Sequence, residues 1–169
     1  KILPEPTTRV AGLETGEIDY LVNNVPSDQY ETVKGFDNVS LTFVPSFYGE
    51  WITFNTQLPP FDNVQVRQAM NYALDKAGLR ALYRPESPDT KATLVYPTMW
   101  TFEEAAWQEA WDALPAYDQD LEKAAQLLEE SGVADQLNGM TISYYESTPS
   151  VKGVAESFID AMSRLGITI

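Results

Sequence analysis

Between residues 62 and 74 apolar side chains recur at intervals of three and four, and Val66, Ala69, Met70, Ala73 and Leu74 fall on one helical stripe. The helix follows Pro59-Pro60-Phe61, where Asp62 and Gln65 have capping-box spacing and Asn63 is an alternative cap. Gly78 is expected to end or bend it before the turn from Leu79 to Tyr83. The same periodicity recurs twice. Leu121, Ala124, Ala125 and Leu128 mark a helix from about Asp120 to Glu130 that Ser131-Gly132 can stop, and Val154, Phe158, Ala161 and Leu165 mark a helix from about Val151 to Leu165. Thr101 and Glu104 repeat the capping-box spacing ahead of Phe102, Ala105, Ala106 and Ala110, with Trp107 and Trp111 four apart on one side. Shorter helices are expected over residues 7–15, opened by Thr7 or Thr8 and ended by Gly16, and from Pro26-Ser27 to Gly35.

Between these helices lie short runs with strand character: Ile18 to Val22, Val39 to Val44, Trp51 to Asn55, Met140 to Tyr145 and Ile167 to Ile169. Thr93 to Tyr96 reads as a short strand or an extended loop, after the proline-rich break from Arg84 to Asp89. Strands alternating with helices predict an α/β fold. The order strand, helix, Gly166, strand at the end predicts a right-handed crossover, with 140–145 and 167–169 as neighbouring parallel strands. A start at Lys1 without Met and a stop inside strand-like sequence lead us to expect a piece of a longer protein.

Composition narrows the chemistry. A formal net charge of −14, distributed along the 169 residues, opposes a phosphate backbone or an anionic bilayer, so nucleic acid is not an expected partner. The chain has no His and no Cys, which removes the usual neutral-pH base, the commonest transition-metal ligand, thiolate nucleophiles and disulfides from these residues. No stretch approaches the roughly 20 apolar residues of a membrane-crossing helix. Neither a cofactor nor a metal is expected.

Glu17 and Asp19 would share a face of a regular strand, about 6.6 Å apart, but adjacency alone does not divide acid and base roles or position a sugar. A carbohydrate-active enzyme is therefore a remote alternative. Glu103 and Glu104 suit the first turn of a helix. Asp118, Asp120, Glu122 and Glu129 match a calcium-loop count, but Lys123 stands where that loop needs Gly, and the segment reads better as helix. Asn38-Val39-Ser40 formally matches an N-glycosylation acceptor. The aromatic residues are more suggestive. Tyr48 and Trp51 flank Gly49, Tyr96 and Trp100 flank Pro97, and Tyr144-Tyr145 precede a polar loop containing Glu146 and Ser147. Rigid aromatic faces at strand ends suit recognition of peptides, sugars or apolar groups in a cleft.

Five stretches taken in order, Arg9 to Asp19, Trp51 to Asn55, Pro60 to Lys76, Tyr117 to Gly132 and Ala155 to Ile167, resemble the extracellular solute-binding proteins of family 5, the receptors of peptide and nickel ABC importers. The resemblance implies a type II periplasmic-binding-protein-like α/β fold: a partial first lobe over 1–45, an interlobe crossing strand over 46–58, and a second lobe over 59–169, truncated at its C-terminal end. It implies a non-enzymatic, monomeric receptor, periplasmic or extracellular and anchored as a lipoprotein in some settings, that gives its solute to a membrane permease. An oligopeptide is the expected solute, with a sugar or a nickel chelate as alternatives, and a purely structural interaction module as an alternative of another class. The expected ligand-binding residues are Tyr48, Gly49, Glu50, Trp51, Tyr96, Trp100, Glu146 and Ser147, the first four at the interlobe cleft. Arg67 is expected to make an orienting salt bridge or a helix-cap contact, with direct solute contact as the alternative, and Asn55 to satisfy backbone groups of the turn before Leu58-Pro59-Pro60. The proline-rich Arg84 to Pro88 turn and the Trp107 to Trp111 region depart from the family's usual sequence and leave the solute class open.

Overall fold

The computed structural model describes residues 2–21, 25–44, 49–83, 91, 93–145 and 148–169. They divide into two compact units, Lys1–Val44 and Pro45–Ile169.

In the first unit Pro6 opens α1 (Pro6–Glu14) at the first helical position, where its missing N–H costs nothing. Glu5 is the N-cap and gives no side-chain bond, so neither Thr7 nor Thr8 has the predicted capping role. Arg9 instead ties down the entry, its Nη1 donating to the carbonyls of Leu3 and Pro4 at 3.1 and 3.2 Å. Residues 18–21 form no strand. The Ile18 N–H donates to the Gly12 carbonyl at 2.9 Å and its side chain covers Gly12, folding the chain back onto α1. Without a strand, Glu17 and Asp19 lose the common face that made them a pair. Asn38 donates from Nδ2 to the carbonyls of Leu13 and Glu14, so the glycosylation-like Asn is a cap for the end of α1. A 3₁₀ turn (Ser27–Gln29) leads into α2 (Tyr30–Lys34), which buries Val33 and ends at Gly35 as predicted.

The second unit is organised by α3 (Val64–Ala73), α6 (Leu121–Ser131) and α7 (Pro149–Arg164). Asn63, not Asp62, caps α3, its side chain accepting from the Gln65 N–H at 2.8 Å. Asp120 caps α6 by accepting from Lys123 N–H at 2.8 Å, and Gly132 ends it in the left-handed conformation at φ 68°. Asn63 Nδ2 reaches the Ser131 carbonyl, while Asp120 N–H donates to Tyr72 O at 2.9 Å and Gln119 Nε2 to Ala73 O at 3.0 Å. The start of α3 thus meets the end of α6 and the reverse, so the two helices are antiparallel. Ala69, Ala73 and Ala124 are fully buried, consistent with close approach of the backbones. Val66, Met70, Leu127, Leu128, Leu137, Phe158, Ala161, Met162 and Ile167 complete the core.

Four local readings need correction. Leu74 is only half-buried, because the helix stops there: Leu74 is extended (ψ 128°) and Asp75 starts a new helix by accepting from the Gly78 N–H at 2.8 Å. Gly78 therefore lies inside α4 (Lys76–Tyr83) instead of ending α3. In α6, Leu127 takes the inward place given to Ala125, which is exposed. Before α5 (Glu104–Ala113), Glu103 is the N-cap, at φ 50°, with no side-chain bond, so the Thr101 to Glu104 spacing makes no capping box.

No described residue lies in a strand, and the predicted parallel pair 140–145 and 167–169 does not form as a ladder: the bonds to 167–169 come from just before the first run, Gly139 N–H to Thr168 O at 2.7 Å and Thr168 N–H to Asn138 Oδ1. The burial pattern of strands persists. Ile52 and Phe54, Met140 and Ile142, and Ile167 and Ile169 turn onto the core, whereas Thr53, Thr141 and Thr168 between them are exposed. Side-chain alternation follows from the apolar pattern alone, whereas a ladder also needs a backbone partner in register. Among the described residues no helix is long and apolar enough to cross a membrane.

Candidate functional site

The segment 49–55 is held along its inner side. Phe54 stacks on Phe61 with ring centroids 4.8 Å apart and lies tilted against Phe158 of α7 at 6.3 Å. At the other end Glu50 Oε1 accepts from the Ser150 hydroxyl at 2.5 Å, in the first turn of α7. Gly49 abuts the Tyr96 hydroxyl so closely that a Cβ there would collide with it. Trp51, whose neighbour Ile52 faces inward, leaves 59% of its surface in solvent. Asn55 does what its position suggests, its side chain accepting from the Gln57 N–H at 3.1 Å. Arg67 likewise orients the following turn, with Nη1 donating to the Phe61 and Asp62 carbonyls at 2.7 and 3.0 Å.

Tyr96 begins a 3₁₀ turn (Pro97–Met99) that delivers Trp100 to α5. Trp100 stacks near-parallel on Trp107 (centroids 6.4 Å, 14°) and edge-on to Trp111 (6.0 Å, 72°). Lys91 closes the far end of α5, donating to the carbonyls of Trp111, Asp112 and Leu114, with its ammonium 5.9 Å from the Trp111 ring. Trp100 Nε1 is buried with no hydrogen-bond partner among the described residues.

Of the predicted contact residues, the structure joins Gly49 to Tyr96 and anchors Glu50 to α7, and it places Trp100 in a tryptophan cluster. Tyr48, Glu146 and Ser147 lie outside the described residues. Ser150, a buried polar residue, and Lys91 were not foreseen. A helix start after Pro149 is legible, but nothing in the sequence links Ser150 to a carboxylate 100 positions away.

A partly buried cation lies at the junction of α3 and α4. Burial pushes the Lys76 ammonium below the usual lysine range, and the nearby Asp118 carboxylate opposes that shift. Lys76 donates to the Asn71 carbonyl at 2.7 Å and stands 5.9 Å from the Tyr117 ring, which in turn meets Tyr72 edge-on. Among the described residues no three His, Cys, Asp or Glu side chains are placed to hold a metal ion, and in the acidic run from Asp118 to Glu129, Asp120 caps α6 while Glu122 and Glu129 lie within it.

The family model for bacterial extracellular solute-binding proteins, family 5 (middle), matches residues 1–169. The chain is 34% identical to heme-binding protein A of Haemophilus influenzae, over 98% of this chain and 29% of that protein. It is 32% identical to the dipeptide-binding protein of Escherichia coli K12, over 78% of this chain and 23% of that protein. In structure it is similar to AppA from Clostridium difficile, provisionally named a peptide binding protein, with a TM-score of 0.72, 26% identity, and coverage of 99% of this chain and 33% of AppA. The chain thus spans about a quarter to a third of the length of these proteins.

Proposed function

The chain belongs to the bacterial extracellular solute-binding proteins of family 5, which bind solutes and are not enzymes, and on that premise we propose that the complete protein captures an oligopeptide outside the cell and delivers it to an ABC importer permease. The observation that carries the reading is the match of the family model along the whole chain. The names of the Escherichia coli and Clostridium difficile proteins favour peptide as the solute. The fold is that of the type II binding proteins, of which these residues form a part. Within it we assign residues 1–45 to the first lobe, 46–58 to the segment that crosses between lobes and 59–169 to the second lobe. The division of the chain after Val44 supports that assignment.

Capture needs a surface that presents aromatic faces and hydrogen-bonding groups and is then closed from water. Gly49, Glu50, Trp51 and Tyr96 supply part of it here, with Trp51 as the open aromatic face, joined by Tyr48, Trp100, Glu146 and Ser147. Glu50 carries a bond to Ser150, so any contact with a peptide ammonium uses the remaining acceptor capacity of its carboxylate.

Heme is a second reading, favoured by the 34% identity to the Haemophilus influenzae protein across 98% of this chain. These residues contain nine Tyr and no His, so an axial imidazole would come from elsewhere in the complete protein. Native mass spectrometry of the complete protein, with fragmentation of the released ligand, separates the readings. A ladder of peptide masses is expected. A heme, sugar or metal-chelate mass overturns the peptide assignment and keeps the receptor. Hydrogen exchange should then slow over 46–51 on saturation with that ligand. An unchanged rate, together with wild-type affinity in separate folded Tyr48→Ala and Trp51→Ala variants, removes this segment from the site.

A further inference from the structure

Ser150 is 5% exposed, is the buried polar side chain among the described residues, and donates a hydrogen bond to a carboxylate 100 residues earlier. Its partner strip is fixed to the same helix again at Phe54, which lies against Phe158. From Glu50 to Phe54 an extended chain covers about 13 Å, and from Ser150 to Phe158 a helix rises about 12 Å. The two spacings match, so the strip runs alongside α7 in the same direction, pinned at a polar point and an apolar point. Between the pins Ile52 faces the core, and alternation sends Trp51 outward.

We propose that Ser150 is a positioning residue for solute contact: by holding Glu50 at the first turn of α7 it fixes the register of the strip and presents the Trp51 ring at one angle. This rests on the assignment of Gly49 to Trp51 to the solute surface. A hydroxyl-to-carboxylate bond at 2.5 Å is short and charge-assisted, suited to such a pin. Gly49, pressed against Tyr96, limits movement of the strip at its other side.

The test uses the complete protein labelled with 5-fluorotryptophan, with the Trp51 resonance assigned by Trp51→Phe, and the peptides Ala-Ala and Ala-Ala-Ala as probes. Ser150→Ala should move the Trp51 resonance without solute and weaken peptide affinity by about 5-fold or more, and Ser150→Thr should restore both. In a cycle with Glu50→Ala the two losses should not add. Ser150→Ala with an unmoved resonance and wild-type affinity, while Trp51→Ala loses binding, overturns the pin alone. Additive losses do the same. A folded Trp51→Ala variant that binds as wild type overturns the site assignment and this proposal with it. If wild type binds neither peptide, the resonance and its rescue by Thr decide the pin.

Discussion

Helices α3 and α5 are each ten residues long, and both carry apolar residues at helical spacing, yet they end in opposite situations. In α3, Val66, Ala69, Met70 and Ala73 are buried against α6 and α7. In α5 no residue is buried, although two of its ten residues are tryptophans. Its Trp107 and Trp111 close on Trp100 from the preceding turn, and Lys91 holds its last carbonyls, so the segment is organised around its own rings. Periodicity identifies which side of a helix is apolar. Whether a partner covers that side depends on the rest of the chain: α5 has more alanines than α3, four against two, yet only α3 has a helix packed along its apolar side.

The contrast is broken most severely from the core side. Leu137→Ala should cost about 2–5 kcal/mol in equilibrium urea unfolding, through lost transfer energy and a cavity where no surface is exposed at present. Leu74→Ala should cost less, about 1–2 kcal/mol, because the end of α3 leaves that side chain half-buried. Equal losses would mean that Leu74 belongs to the core after all. On the other side, Trp107→Ala should lower global stability by about 1 kcal/mol or less while speeding amide exchange across residues 104–113, because ring pairing is its main support. A core-sized loss would show that α5 is not a separate local unit. The smallest effect concerns pH. Lys76 has a folded-state pKa below its unfolded value, so the unfolded chain binds more protons between the two, and stability should rise slightly as pH climbs through that interval toward 10.5. Lys76→Met should flatten this rise in urea titrations between pH 8 and 11. Since the ammonium is partly solvated, the slope will be shallow.

How much of this was legible follows the range of each interaction. Helix stripes and their local caps are encoded within a few residues, and α6 with Asp120 and Gly132, or the turn held by Asn55, could be read directly. The end of α3 could not, because Asp75 competes with helix continuation through one side-chain bond and pulls Leu74 out of the stripe. In three of the strand-like runs alternation marks the inward side, as Ile52 and Phe54, Met140 and Ile142, and Ile167 and Ile169 attest, whereas the pairing of the runs depends on distant backbone. At the candidate site the aromatic residues announced themselves by type. Their tethers did not, since Ser150 to Glu50 and Tyr96 to Gly49 join positions 100 and 47 residues apart with no local pattern linking them.

The Gly49 and Tyr96 contact also has an evolutionary side. A side chain at position 49 would have to push the Tyr96 hydroxyl aside, and the phenol, as the outer end of a side chain, can turn away where backbone could not. The two positions are therefore expected to be coupled in descent: alanine or serine at 49 should be found more often beside a smaller residue at 96 than beside tyrosine, and where tyrosine is kept its ring should be turned away from the strip.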